Sequence, residues 1–507
     1  MKQVKAFFLN AVLLTATSLF MRTVGMGFGV YLAGKIGAAG LGLYQLIMSV
    51  YTLSVTLACS GISLAATRLV AEELGRDNET GAKKAMRRCL FYSAFFGTAT
   101  GTMLFFCAEH IGLVWLCDRR TIASLRILAL SMPFIGMSSA MNGYFTAVRR
   151  VFKSATSQIL EQGLKIAFTI IGLTMLLPRG LEYACFAIVG GGALAEACSF
   201  CYSLLLFLHD SRRYRTSRAK QPGLSKRLFG ISLPVAFSAY ARSGLLTIEH
   251  MLIPRGLKKY GASSESALAS YGLLQGMVLP VVLFPSAVLQ SLAGLLVPEL
   301  AECRAQCRYV RINYIVGRIF KLSLLFSIGV AGIMACFADE IALAVYKNTS
   351  AASYIRILSP LIPVMYLDTA VDGMLKGLGE QLSSMRYNIF DAACSVILVY
   401  LLIPHMGIKG YICTIFFTEL LNSALSASRL IAVTQFKINL RDCLFKPIFA
   451  VMLSAFTVHL LFYNIYFKCV AVTILKIFIA ACVYLIYLVL CRSISTDDVK
   501  WGISILK

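Results

Sequence analysis

Apolar residues in this chain gather into long runs separated by short polar connections. They show neither the strict alternation of a half-buried strand nor the narrow stripe of a surface helix. A run of about 20 apolar residues crosses a bilayer as a helix. Such runs occupy residues 7 to 34, 40 to 68, 89 to 116, 122 to 147, 157 to 178, 182 to 208, 229 to 255, 268 to 299, 312 to 337, 353 to 376, 387 to 404, 408 to 433, 446 to 467 and 469 to 491. The pattern predicts an all-α integral membrane protein with about 14 transmembrane helices. The first run continues too far to read as a cleaved signal peptide.

The pattern also repeats itself. Arg126, Ile127, Leu128, Pro133, Ala140 and Gly143 recur as Arg356, Ile357, Leu358, Pro363, Ala370 and Gly373, each pair 230 residues apart. A second match takes Tyr44, Leu46, Val55, Val70 and Glu72 to Tyr271, Leu273, Val282, Val297 and Glu299, at a spacing of 227. Two copies running the same way predict two pseudo-symmetric six-helix lobes, related by an axis along the membrane normal, with any substrate site at the lobe interface. Residues 1–210 form the expected first lobe, 211–228 a basic linker, 229–436 the second lobe and 437–507 an unrepeated helix pair with a short tail. Within these spans Pro133, Pro234, Pro280, Pro285 and Pro363 are expected to kink helices. Gly25, Gly27 and Gly29 are expected to make the first helix deformable or closely packed.

Composition agrees with a membrane chain: 58% of residues are apolar and 14% charged, whereas about a quarter are charged in soluble domains. The formal charge of +24 raises the question of a nucleic-acid partner, and its distribution answers against one. Arg76, Lys83, Lys84, Arg87 and Arg88 fill one connection, Arg212, Arg213, Arg215, Arg218, Lys220, Lys226 and Arg227 another, and Arg304, Arg308 and Arg311 a third. These are alternate connections, as the positive-inside rule requires on the cytoplasmic side. Both termini are therefore expected to be cytoplasmic, with the basic loops facing anionic membrane lipids. The 16 cysteines mostly lie singly inside spans, as small apolar side chains do. Neither Cys198 with Cys201 nor Cys303 with Cys307 has the histidines of a zinc site nearby. No metal or cofactor is expected.

One set of residues carries a family likeness. The run Gly42-Leu43-Tyr44-Gln45-Leu46, followed by Ser60-Gly61-Ile62-Ser63 and Arg68-Leu69-Val70-Ala71-Glu72-Glu73, resembles the stage V sporulation protein B family and its polysaccharide-transporter relatives. Leu296-Val297-Pro298-Glu299-Leu300 resembles the same family. These proteins belong to the multidrug, oligosaccharidyl-lipid and polysaccharide exporter superfamily, whose members share two six-helix lobes around a central cavity. The resemblance implies alternating-access export or flipping of a lipid-linked oligosaccharide or peptidoglycan precursor across the cytoplasmic membrane, and a role in spore cortex or cell-wall synthesis. The extra helix pair fits the lipid-linked-sugar flippase branch.

Ionisable residues inside the spans carry the candidate chemistry, since each costs at least about 2.5 kcal/mol at mid-bilayer. Arg22 in Ser18-Leu19-Phe20-Met21-Arg22-Thr23 and Arg242 in Ser238-Ala239-Tyr240-Ala241-Arg242-Ser243 match in serine, aromatic, arginine and hydroxyl positions. They are expected to face the shared cavity, where two guanidinium forks suit a pyrophosphate. Neutralisation by a buried acid, with Glu249 the candidate for Arg242, is the alternative. Arg126 and Arg356 lie near helix ends, where arginine snorkels. Glu161 and Asp391, again 230 apart, are expected to pair with bases such as Arg149, Lys153 or Lys165. Glu196, Asp368, Asp372 and Glu419 are candidates to carry a coupling proton or sodium ion.

Two rival functions stay open at this point. A cation-coupled multidrug antiporter of the same superfamily would use an acid in the first helix, and no Asp or Glu precedes Glu72. A membrane glycosyltransferase or polymerase would need a large loop bearing acids, and even the longest connections here are short and basic. No nucleotide-binding glycine loop or paired-histidine motif is present, so no enzymatic activity is expected.

Overall fold

The computed structural model describes residues 2–76, 78–212, 224–436, 441–462, 470–491 and 493. Arg213, Arg215, Arg218 and Lys220 of the expected linker, and the tail from 494, lie outside the described residues. Within them the fold is helical, in the order α1 (Lys2–Cys59), α2 (Ile62–Gly75), α3 (Glu79–His110), α4 (Ile122–Ala147), α5 (Val151–Leu176), α6 (Leu181–Ser211), α7 (Leu224–Lys259), α8 (Ser264–Gly272) and α9 (Leu279–Leu283). There follow α10 (Ser286–Ala305), α11 (Tyr309–Cys336), α12 (Ala338–Tyr346), α13 (Ser350–Leu358), α14 (Ile362–Gly377), α15 (Gln381–Met406), α16 (Ile408–Thr434), α17 (Lys446–Leu461) and α18 (Val470–Leu490). Among the described residues eleven stretches are long and apolar enough to cross a membrane, against the 14 spans expected. The chain is a multi-pass membrane protein, all-α in its described residues.

The first of these stretches, Thr17–Gly75, holds 59 residues. At 1.5 Å per residue it is about 88 Å long, roughly three times the hydrocarbon thickness, so it is more than one crossing. One break lies at Ser60 and Gly61, between α1 and α2, and the other at Gly37, whose φ of 66° and ψ of −177° interrupt α1. That combination is open essentially to glycine alone. Gly25, Gly27 and Gly29 keep helical backbone. Gly37→Ala is expected to destabilise the protein by about 1–3 kcal/mol, seen as a lowered melting temperature in detergent. Gly27→Ala, whose new methyl meets nothing within 4 Å, is expected to be neutral or stabilising by up to about 1 kcal/mol. Equal melting of the two variants would contradict a break at Gly37.

The prolines divide. Pro133 and Pro234 lie inside α4 and α7, whereas Pro363 sits in the first turn of α14. Its copy of the repeat is cut into α13, a 3-10 turn at Ser359–Leu361, and α14. The difference has a cause in the sequence: Pro360 has no counterpart at Leu130, and it removes a further helical donor. Pro280 follows a π turn at Leu273–Val278. Carbonyls in this irregular stretch find tyrosine donors, Tyr346 on Met277 O at 3.0 Å and Tyr366 on Val282 O at 2.6 Å. Non-helical backbone at membrane depth needs such partners.

Packing divides the chain into two units. One comprises residues 1–28, 36–272 and 396–408, the other 29–35, 273–395 and 409–507. In the first, α2, α3 and α4 pack on one another and α6 on α4 and α5, around a core that includes Leu69, Met86, Tyr144 and Phe145. In the second, α10, α11 and α14 enclose Ile315, Val316, Val371 and Leu375. There α17 and α18 dock on α11, where Tyr484 donates to Leu325 O at 2.7 Å and its ring fills the space left by Gly329. The internal repeat is visible within each unit by itself: Gly143 on α4 abuts Ser63 of α2, and its partner Gly373 on α14 abuts Ala293 of α10. Ser63 and Ala293 are themselves 230 residues apart. A side chain at either glycine would push the helices apart.

Candidate functional site

Helix α7 is held against the second part of α1 and against α2 by a ladder of polar contacts. Thr247 Oγ1 donates to Ser49 O at 3.2 Å, Thr56 Oγ1 donates to Ser243 Oγ at 3.3 Å, and Tyr240 shares a hydrogen bond with Ser60. At the end of α7 that begins with Leu224, Arg227 donates to Glu73 Oε1 at 3.0 Å and also binds Glu72. Tyr240, Ser243 and Thr247 recur at helical spacing, so they share one face. They fix how α7 is rotated, leaving Arg242 about 100° round the helix from Ser243.

Arg242 is exposed and makes no ion pair or hydrogen bond among the described residues, so Glu249 does not neutralise it. Glu249, one of the buried acids, has other partners. Arg22, on the first part of α1, is partly buried, and its Nη1 is fully enclosed without a hydrogen-bond partner. Both arginines belong to the first unit. By contrast, Arg126 lies 3.8 Å from Glu109 and Arg356 2.6 Å from Asp339. An enclosed guanidinium nitrogen without an acceptor is costly, and an anion supplied from outside the chain would satisfy it.

The acids separate into distinct environments. Glu196 of α6 is 9% exposed and neighbours Glu161 of α5, with Lys165 nearby. Of the bases expected near Glu161, Lys165 is close by, whereas Lys153 joins Arg150 on the buried Asp210, Lys153 at 3.0 Å. In the second unit, Asn422 donates to Asp368 Oδ2 at 3.1 Å, and Asp372 takes Lys376 at 2.5 Å together with Ser384. Asp391 and Glu419 are partly buried and partnered. Glu380, in the connection between α14 and α15, receives Arg429 at 2.8 and 3.1 Å. That guanidinium holds the Glu380 carboxyl below the usual range. The pair therefore contributes above the ordinary carboxylate value and is lost as pH falls through the lowered one. Among the described residues no group of three or more His, Cys, Asp or Glu is placed to hold a metal ion.

The sequence pointed to Arg22, Arg242 and Glu196, but the nearness of Glu161 to Glu196 and the Arg227 latch were beyond it. Both join residues far apart in the chain, and although Glu161, Glu196, Glu72 and Arg227 were each marked singly, nothing in the sequence joined them.

Comparison with known proteins adds to this geometry. The family model described as polysaccharide biosynthesis protein matches residues 8–303, and the MatE family model matches residues 259–401. The chain is 25% identical over 445 residues to stage V sporulation protein B of Bacillus subtilis (strain 168), covering 86% of each chain. It is 19% identical over 426 residues to the lipid II flippase MurJ of the same organism, covering 79% of this chain and 78% of that one. A solved structure of the lipid II flippase MurJ in an inward closed conformation shares the fold, with a TM-score of 0.72 and 15% identity over 94% of this chain and 98% of that one.

Proposed function

From the premise that this chain belongs to the polysaccharide biosynthesis protein family, we propose that it flips a lipid-linked oligosaccharide or peptidoglycan precursor across the cytoplasmic membrane by alternating access. Its similarity to a sporulation protein and to a lipid II flippase supports cargo of that class and a role in spore cortex or cell-wall synthesis. The observation that carries an anionic cargo is Arg22 Nη1, enclosed within a membrane-crossing stretch without a hydrogen-bond partner among the described residues. Arg22 and Arg242 are the proposed contacts for the pyrophosphate, arginine being suited to its paired oxygens. The division into lobes at residues 1–210 and 229–436 with a terminal helix pair belongs to this reading.

The test is replacement in cells. In a strain depleted of its own precursor flippase, expression of this chain is expected to restore growth, and an Arg22→Ala chain expressed at the same level is not. Failure of the unaltered chain to restore growth in any strain making a polyprenyl-linked precursor would overturn the reading. The MatE match favours multidrug antiport as the second reading, which predicts resistance to cationic drugs without restored growth.

Orientation follows from the basic connections. Cys117 and Cys307 are both exposed, the first beside Asp118 and Arg119, the second between Arg304 and Arg311. In variants retaining one of these two cysteines alone, an impermeant thiol reagent added outside the cell is expected to label Cys117 and not Cys307. The opposite result would reverse the topology.

A further inference from the structure

Helices α3 and α7 meet within the first unit and are joined at two levels. Arg88 Nη1 donates to Ser225 Oγ at 2.9 Å, and one turn further along both helices the rings of Tyr92 and Phe229 meet edge to face, their centroids 5.5 Å apart. Arg88 and Tyr92 are four residues apart and so share the face of α3 turned to α7. Arg87, Phe91 and Phe95 fall on the face beside it, about 100° round the helix, and are exposed, Phe91 at 77%. Helix α7 repeats the order: exposed Lys226 comes first, then Phe229, Leu233 and Phe237, the last at 76%. Between Lys226 and Leu233, Gly230 leaves a notch, since a Cβ there would meet nothing within 4 Å.

Depth fixes what these stripes meet. Helix α3 ends at His110, and a hydrocarbon layer about 30 Å thick takes about 20 residues of helix, so its near boundary falls close to Leu90. Arg87 and Arg88 stand just outside that boundary, and the Arg88–Ser225 bond brings Lys226 to the same level. Phe91, Phe95, Phe229 and Phe237 lie inside it. The cations have no acid to answer them. Arg87 and Lys226 make no hydrogen bond or ion pair among the described residues, and Arg88 has only a hydroxyl. Glu72 and Glu73 are occupied by Arg68 and Arg227, and Glu79 lies two turns back along α3. Cations above two apolar stripes complement a phosphodiester above two acyl chains, arginine binding phosphate oxygens in pairs. A zwitterionic headgroup carries its own cation and fits less well.

We propose that the crevice between α3 and α7 binds one anionic phospholipid, its phosphodiester held by Arg87, Arg88 and Lys226 and its chains laid along the Phe91 stripe of α3 and the Leu233 stripe of α7. The site does not rest on the transport reading above. The test is a titration of the full, delipidated chain in neutral maltoside detergent with dioleoyl phosphatidylglycerol, read by native mass spectrometry and by melting temperature. One lipid is expected to bind and to raise the melting temperature, and dioleoyl phosphatidylcholine is expected to do neither at the same concentration. A basic residue near a lipid surface contributes about fivefold in affinity, so the double variant Arg87→Gln, Lys226→Gln is expected to bind roughly 25-fold more weakly while melting as the unaltered chain does without lipid. Phe91→Ala with Leu233→Ala is also expected to weaken binding. Arg308→Gln, at an exposed arginine of another basic connection, is expected to change nothing, and glycerophosphoglycerol, the headgroup without chains, is expected not to compete. Equal binding of the two phospholipids, undiminished binding by the Arg87 and Lys226 variant, or an equal loss in Arg308→Gln would overturn the site. So would competition by glycerophosphoglycerol, which would make it a site for the anion alone, or displacement of the phospholipid by a lipid-linked disaccharide-peptide, which would make the crevice part of the cargo path.

Discussion

Arg22→Ala is expected to cost most of the translocation activity while leaving the protein folded. Its enclosed Nη1 has no hydrogen-bond partner among the described residues, and no ion pair among them is broken by the replacement. What is lost is a charged hydrogen bond to cargo, worth about 1.5–3 kcal/mol, or roughly 10- to 100-fold in binding. Arg22→Lys keeps the charge without the planar fork and is expected to fall between. Arg242→Ala is expected to behave similarly, since Arg242 too is unpaired among the described residues. If both grip one pyrophosphate, the double alanine variant should be little worse than either single one, because effects on one shared group do not add. The readout is initial translocation rate at equal protein amount. Full activity of the double variant would contradict the assignment.

The second large effect concerns the latch at the start of α7. Glu73 is 5% exposed, and it also receives Asn78 Nδ2 at 2.8 Å. Removing Arg227 strips a nearly buried carboxylate of a charged donor. Arg227 and Glu72 are themselves about one-third exposed, which tempers the loss toward that of a surface pair. Arg227→Ala is therefore expected to lower stability by about 1–3 kcal/mol. Glu73→Gln in the Arg227→Ala background should cost much less than in the unaltered protein. A double-mutant cycle in detergent is expected to give a coupling of about 0.5–3 kcal/mol. Strict additivity of the two replacements would mean that the bridge does not hold α7 on α2.

How far the sequence announced these features depends on the physics behind each. Hydropathy located the membrane stretches because length and apolarity are local properties of the chain. The repeat was legible for the same reason, and Gly143 and Gly373 occupy equivalent helix contacts within their own units. Gly37 was not legible: Gly25, Gly27, Gly29, Gly34, Gly37 and Gly40 crowd the same segment, and only the backbone angles single one out. Pro363 looked equivalent to Pro133, but neighbouring Pro360 ended one helix and left Pro363 in the first turn of the next. The mid-helix arginines stood out by the cost of charge in an apolar run. Their partners, and those of the acids, depended on contacts across the fold, as with Arg227 and Glu72 at 155 residues' separation. Lys153 was available to Glu161 by sequence, but the folded chain gives it to Asp210.

Flipping is read out by reconstituting the purified chain in liposomes with a lipid-linked disaccharide-peptide in one leaflet and measuring its appearance in the other. The unaltered protein is expected to translocate it in preference to a neutral polyprenyl alcohol, at a rate reduced roughly 10- to 100-fold in Arg22→Ala. Transfer of the neutral lipid at the same rate, or an undiminished rate in Arg22→Ala, would contradict it.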